Sequence, residues 1–307
     1  MNNSICVLGS INIDLSIKSP KEMKIGETIH GSGFIIGHGG KGANQALAMA
    51  KLGGQAYILG NVGNDIFGRE LIESLKMNGV NTEYSKIVEL IPTGTAVIIV
   101  IDGNNSIILD AGANDNVTVD YVHMSEKIIS ECSMLVSQFE IPYTSVNEAF
   151  RMAKKNGVIT LLNPSPSKNI GDELYRNTDI IIANELEASD LTGINVYDIN
   201  SAKDAIKWFI NKGIKTSVIT LGAQGCVFFD GLNIEHNAVR KVDVVDSTCA
   251  GDSFLGAFAV SLINGKCIKY AIEYASAASA ITVTRRGAQS SLPDASEVEV
   301  VMDIIAI

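Results

Sequence analysis

Proline is scarce in this 307-residue chain, six in all, and tryptophan occurs once. With so little proline and 46% of residues hydrophobic, the compositions that leave a chain without a packed core are excluded. The five cysteines (Cys6, Cys132, Cys226, Cys249, Cys267) are scattered singly, with no CxxC pair. That odd, dispersed set fits reduced thiols better than a disulfide framework or a zinc site. The four histidines are equally dispersed, so no metal cluster is expected. No Lys/Arg block occurs, and 24 basic against 34 acidic residues leave a net charge of −10. Nucleic acid, which rewards clustered cations, is therefore not an expected partner. No uncharged apolar run reaches the roughly 20 residues that span a bilayer. Met1-Asn-Asn-Ser lacks the basic start of a signal peptide. The expectation is a cytoplasmic protein with no membrane partner. A chain of this length buries a full core unaided, as two domains or as one large α/β domain with a small appendage.

What is present is an alternation. Ile5–Leu8, Ala56–Leu59, Met134–Val136, Val158–Leu162, Ile180–Ala183 and Ser217–Thr220 are short apolar runs bounded by Gly, Asn or Asp, and read as buried strands. Helical patterns lie between and after them: Gly42–Leu52, Phe67–Met77, Ser145–Lys155, Ala202–Asn211, Asp252–Ile263 and Ile268–Arg285. Strand and helix repeated in this way predict an α/β fold, a mostly parallel sheet covered on both faces. Two stretches, Leu15–Ile36 and Tyr84–Leu109, break the rhythm with strand-like runs and no helix. Within the second, Thr95–Ile101 and Ser106–Leu109 flank Asp102-Gly103-Asn104-Asn105, a hairpin signal. These stretches predict a small antiparallel appendage over the Gly-rich segment at Gly37–Gly42.

The strongest local signal is Asp246-Ser-Thr-Cys-Ala-Gly-Asp252. Phe254, Phe258 and Leu262 recur every fourth residue and Gly265 follows, so a helix starts near Gly251. Small residues before a helix leave free N–H groups, and the dipole adds positive potential, which makes an anion site. Asp252 then has two readings: an acid that suits the helix dipole, or a general base beside the anion hole. Gly37-His-Gly-Gly-Lys-Gly-Ala-Asn44 formally matches GxGxxG but does not open the first βαβ unit, and neither Gly-Lys pair is followed by Ser or Thr, so it is no Walker loop. Lys41 and Asn44 on a first helical turn suit a polyol, while His38 reads as a polar loop residue. Asn12 and Asp14 share one face of extended chain, either chelating adjacent hydroxyls or making an Asx-rich turn. Glu140 closes a buried strand, where α/β folds bind ligands. Asn184 with Glu187 reads as an N-cap with an acidic first turn, and Thr220-Leu-Gly-Ala-Gln-Gly225 as a turn between strands.

In this order and spacing the fragments resemble the ribokinase branch of the PfkB carbohydrate-kinase family, from Gly9 to about Pro293. Gly39–Ala46 is similar to its substrate-side signature and Asp246–Phe254 to its C-terminal signature. Asn163-Pro-Ser-Pro166, Leu191-Thr-Gly193 and Arg286-Gly-Ala-Gln289 match as well. The resemblance implies a ribokinase-like three-layer sandwich spanning 1–307, with a β lid from about 14–36 and 84–109. It implies ATP-dependent phosphorylation of D-ribose at O5, with Mg²⁺ and an activating potassium ion. Around the sugar it puts Asn12, Ile13, Asp14, Gly40, Lys41, Gly42, Ala43, Asn44 and Glu140. Asp252 would be the base, and the Cys249, Ala250 and Gly251 amides the anion hole. Nucleotide contacts would come from Asn184, Thr220, Leu221, Gly222, Ala223, Gln224, Gly225, Gly251 and Ser276, with Glu187 holding Mg²⁺ through water. The potassium loop would be Asp246, Thr248, Thr282, Arg285, Gly287 and Ser291, largely through carbonyls. A homodimer through the lid is expected. Cys249 stands where the family usually has Ala or Gly, and Ser276 where some members have His near the adenine. For the Cys249 thiol, helix dipole and burial pull opposite ways, and an inert thiol is the expectation. Alternatives are a kinase for 2-deoxyribose, fructose or adenosine, a dinucleotide-binding oxidoreductase resting on Gly37–Gly42, and a catalytically silent sugar-binding regulator.

Overall fold

The computed structural model describes residues 3–102 and 104–303. The six expected strands become neighbours in one eight-stranded sheet. Its spatial order is Ile234–Asn237, Cys226–Phe229, Thr216–Thr220, Ile180–Asn184, Ile159–Leu162, Met134–Ser137, Ser4–Leu8 and Gln55–Leu59. From Thr216–Thr220 to Gln55–Leu59 every pairing is parallel, and the two strands at the other edge are antiparallel. Both faces are buried, so side chains alternate between two cores. Ile5, Val7 and Val136 face one core with the helices Lys41–Lys51, Ala250–Ile263 and Ile268–Thr282. Cys6, Leu8 and Leu135 face the other with Tyr143–Lys155 and Ile199–Asn211.

Two features of this frame position the site. The chain runs from Ser4–Leu8 outward to Gln55–Leu59, then returns to Met134–Ser137 on the other side, which makes the carboxyl ends of Ser4–Leu8 and Met134–Ser137 a topological switch point. The Lys41–Lys51 and Ala250–Ile263 helices also pack unusually closely, because a Cβ on Gly256 would stand 2.6 Å from the Ala48 Cβ. Their amino ends are thereby brought side by side over that crevice.

The appendage is a four-stranded sheet in the order Ser32–Gly39, Asn12–Lys18, Gly94–Ile101, Asn104–Asp110. Its outer pairs are antiparallel and its central pair is parallel. The hairpin is tighter than its four-residue signal, since Ile101 already pairs with Asn104. One expectation is corrected: 84–93 is outside the lid. Lys86–Val88 pairs in parallel with Asn61–Gly63 in a separate two-stranded sheet, where the core offers it a partner that local sequence does not reveal. Helices at Val119–Met124, Glu126–Glu131, Asp172–Arg176 and Ala295–Asp303 were not among those expected, while Glu185–Thr192 follows the N-cap read at Asn184.

Candidate active site

Asn12 opens the lid strand just beyond the switch point and is buried. Its Oδ1 accepts from the buried Asn114 amide at 2.7 Å, and its Nδ2 lies 3.5 Å from Glu140 Oε2. Glu140 Oε2 also accepts from Ser10 Oγ at 2.5 Å and from the Lys41 backbone N–H at 3.1 Å. One carboxylate oxygen thus ties the first strand's exit to the start of the Lys41–Lys51 helix. The chain enters that helix through Gly40, whose φ of +87° and backbone neighbours (a Cβ would meet Asn12 N at 2.7 Å) admit only glycine. Burial first, then Glu140, push the Asp14 carboxyl up to about 7, with Asp252 adding and His38 opposing. Burial would lower the Lys41 ammonium, but Asp252, Glu140 and Glu187 outweigh it and hold the pKa raised. Lys41 therefore sits charged among carboxylates from three parts of the chain.

Asp252 lies in the first turn of Ala250–Ile263 and is buried. Asn44 Nδ2 donates to its Oδ2 at 3.2 Å and Gln45 Nε2 to its Oδ1 at 2.9 Å. The Oδ1 of Asn44 is buried without a hydrogen-bond partner among the described residues, so an acceptor beside Asp252 awaits a donor such as a hydroxyl. The helical ladder begins with the Ser253 N–H donating to the Cys249 carbonyl. The Ala250 N–H is drawn into a 3.3 Å turn bond to Ser247, so the expected anion hole narrows to Cys249 and Gly251. Gly251 is exposed, and a Cβ there would meet nothing within 4 Å. Cys249 adopts a left-handed conformation, φ +66°. Burial, with the Asp252 carboxylate beside it, holds its thiol well above the usual range despite Lys41. Burial thus outweighs the neighbouring cation, and the shift runs toward a neutral thiol.

Several expected sugar contacts face elsewhere. The Ile13 side chain is in the core, pointing away from Asn12 and Asp14 as strand alternation requires. Gly42 and Ala43 are buried packing residues, since a Cβ on Gly42 would meet Gly9 C at 2.6 Å and the Ala43 N–H bonds the Ser10 carbonyl. His38, expected as a polar loop residue, lies instead in the Ser32–Gly39 strand and bridges Ser74 and Glu70 at 3.1 and 3.0 Å. Gly37 and Gly39 belong to a lid strand and pair opposite Asp14 and Asn12, so Gly37–Gly42 does not follow a core strand as a dinucleotide loop does.

On the nucleotide side, Asn184 and Glu187 form a reciprocal capping box at Glu185–Thr192, using one Glu187 oxygen. Thr220 ends its strand beside it and leads into the Gly222–Gln224 turn. Leu221 is buried in the core, and the Gln224 side chain turns to the Tyr197 carbonyl, so neither side chain faces a ligand. Ala223 is exposed. Ser276 accepts from Asn237 Nδ2 at 3.0 Å, and both line a cavity of about 260 Å³ with Ala238, Arg240 and Glu273. In the 246–291 loops Asp246 accepts from Thr248 and from the Gly287 N–H, which fastens two segments together. These bonds hold the Asp246 carboxyl below its usual range against the opposing effect of burial. The side chains of Thr282, Arg285 and Ser291 are engaged with Ser253, Glu297 and the Ala288 carbonyl. Among the described residues no cluster of three His, Cys, Asp or Glu could hold a metal.

Ser10, Gln45, Asn114 and Asn163 join the site without having been singled out as site residues. Each is an amide or hydroxyl whose role exists only through a partner more than 30 residues distant, and no local spacing marks it.

Comparison with known proteins agrees with this fold. The family described as "pfkB family carbohydrate kinase" matches residues 2–295. The ribokinase of Haemophilus influenzae is 41% identical over 300 residues, covering 97% of each chain. That of Schizosaccharomyces pombe is 41% identical over 310 residues, covering 96% of each. The structure of Arabidopsis thaliana ribokinase complexed with ribose and ATP superposes with a TM-score of 0.91 at 32% identity, covering 98% of this chain and 99% of that one.

Proposed function

This chain belongs to the pfkB family of carbohydrate kinases, and from that premise we propose that it transfers the terminal phosphoryl group of ATP to the 5-hydroxyl of D-ribose. The observation carrying this reading is the meeting of Asp252 with Asn44, 208 residues apart in sequence, beneath a lid strand that presents Asn12 and Asp14. Asn12, Asp14, Asn44 and Glu140 supply the convergent acceptors and amides that a ring of hydroxyls needs. Asp252 takes the proton of the attacking hydroxyl as it turns on phosphorus. The Cys249 and Gly251 N–H groups and the charged Lys41 neutralise the charge that develops on the transferred group. The remaining Glu187 oxygen would hold Mg²⁺ through water, and that ion supplies charge neutralisation between the phosphates. Carbonyls around the Asp246–Gly287 clasp would hold potassium, which supplies order to the loop carrying the anion hole.

The experiment is ATP-to-ADP turnover with ribose, 2-deoxyribose, fructose and adenosine in Mg²⁺, with potassium against a large organic cation. Ribose-selective turnover, several-fold higher in potassium, is expected. Preference for another acceptor would move the sugar assignment, and identical rates in both cations would remove the potassium site.

Sugar recognition is expected to depend on pH through Asp14, whose carboxyl titrates at about 7. The ionised carboxylate accepts two hydroxyl protons, while the neutral acid does not, so binding is retained above that value and lost below it. The ribose KM is expected to rise about tenfold from pH 8 to pH 6. A flat KM across that range would show that Asp14 does not recognise the sugar in its ionised form.

The lid leaves Phe34, Ile35, Ile36, Ile107, Ile108 and Leu109 exposed on its two edge strands. Apolar edges of this kind favour pairing with another chain, and we expect a homodimer through the lid. A monomer mass by light scattering at micromolar concentration would count against it.

A further inference from the structure

Asp252 is buried on the core side of the crevice, and two consecutive residues of one helix reach its two oxygens: Asn44 to Oδ2 and Gln45 to Oδ1. Consecutive helical residues diverge by about 100°, so the carboxylate is gripped from two sides. The Gln45 amide is itself fixed on every atom. Its Nε2 donates to Asp252 and also to Asn163 Oδ1 at 3.2 Å, while its Oε1 accepts from Gln138 Nε2 at 2.5 Å. Asn163 is oriented in turn by donating to the Ile182 carbonyl at 3.0 Å. A Gln45 amide turned over would set its oxygen against the Asp252 carboxylate and the Asn163 oxygen, and its N–H groups against those of Gln138. The direction of the amide is thus dictated from the Ile182 backbone carbonyl of the central sheet through Asn163, and Gln138, whose own Oε1 has no partner among the described residues, follows it. Gln45 and Gln138 are fully buried. A Cβ on Gly9 would stand 2.2 Å from Gln138 Oε1, so Gly9 provides the room in which Gln138 lies.

We propose that Gln45 is a positioning residue for the general base: its N–H, directed by Asn163, holds the Asp252 carboxylate in the orientation that takes the substrate's hydroxyl proton. The inference rests on the kinase reading above and assigns a role to two glutamines that touch no substrate. The other charged or titratable groups near Asp252 are Lys41, Asp14 and Cys249; the Cys249 thiol also hydrogen-bonds the carboxylate, while Lys41 and Asp14 act on it through charge.

The test is a double-mutant cycle with Asp252→Asn, read as kcat and sugar KM separately. Gln45→Met keeps length and volume while removing the donor. It is expected to lower kcat about 10- to 100-fold, the size of one hydrogen bond to a charged group, with KM within twofold. In the Asp252→Asn background the same change is expected to have no further effect on kcat, because the group it acts through is gone. Gln138→Met, which frees the amide but leaves the donor, is expected to lower kcat by a smaller factor and to show the same non-additivity. It carries the test if Gln45→Met fails to fold by thermal melting. A rise in KM at unchanged kcat, or an undiminished loss in the Asp252→Asn background, would overturn the proposal. Absence of turnover in the unsubstituted protein would instead remove the kinase reading, and would be seen before any variant is made.

Discussion

Asp252→Asn is expected to lower kcat about 10³-fold while leaving the sugar KM within a few-fold of its starting value. General-base assistance is worth about 10²–10⁴ in rate, and the amide cannot accept the proton that the carboxylate takes. The side chains lining the sugar are otherwise unchanged, so binding in the ground state is largely kept. The exchange is not silent for the fold. Asn44 and Gln45 each donate to one Asp252 oxygen, and an Asn offers one oxygen and one N–H₂, so a donor is left facing a donor. Losing one such buried bond costs about 1–3 kcal/mol, a melting-temperature drop of a few degrees in a chain this size. Steady-state rates with purified protein and a thermal melt separate the two effects. A kcat within tenfold of the unsubstituted protein would dismiss Asp252 as the base.

Gly251→Ala should part activity from stability in the opposite direction. The position is at the start of a helix, is exposed, and has nothing within 4 Å of the methyl that would be added. Alanine loses less backbone freedom than glycine on entering a helix, so the protein is expected to gain up to about 1 kcal/mol. That same methyl would add bulk beside the Gly251 N–H, one of the two donors assigned to the transferred phosphoryl. Displacing the group from one such donor costs about 10²–10³ in rate, and kcat is expected to fall by at least the lower figure. A variant that melts higher and turns over at least 10²-fold more slowly is the predicted pair of results. Unimpaired turnover would move the anion hole elsewhere.

Much of the fold was legible in the sequence because strands buried on both faces read as short apolar runs whose ends are marked by Gly, Asn or Asp. All six expected core strands lie within a residue or two of the observed ones. Tyr84–Glu89 was assigned to the lid because Ile87 and Val88 favour a strand wherever they sit. Which strand they join is decided by the Asn61–Gly63 segment, about 25 residues away. In the site, neighbouring small residues and spacing marked Asp252 and the Asn12–Asp14 pair, but each kept two readings until the family resemblance was added. Gln45, Gln138 and Asn163 could not, since a buried amide resembles any other until partners 93 and 118 residues apart converge on it. The Cys249 thiol was a contest between two nameable effects, and only the packed environment decides the winner.

The register of the lid strand bears on how the length of such chains can vary. Asn12, Ile13 and Asp14 pair with Gly39, His38 and Gly37 in turn, so the two polar side chains face the crevice and Ile13 faces the core. Only Gly9, Ser10 and Ile11 separate this strand from the first core strand. One residue gained or lost there would exchange the faces, sinking the carboxylate of Asp14 into the core and lifting Ile13 into the crevice. The stretch from Ser19 to Gly31, by contrast, lies between the two lid strands and is largely exposed. Insertions and deletions should therefore accumulate in that stretch across related sequences and be absent between Leu8 and Asn12.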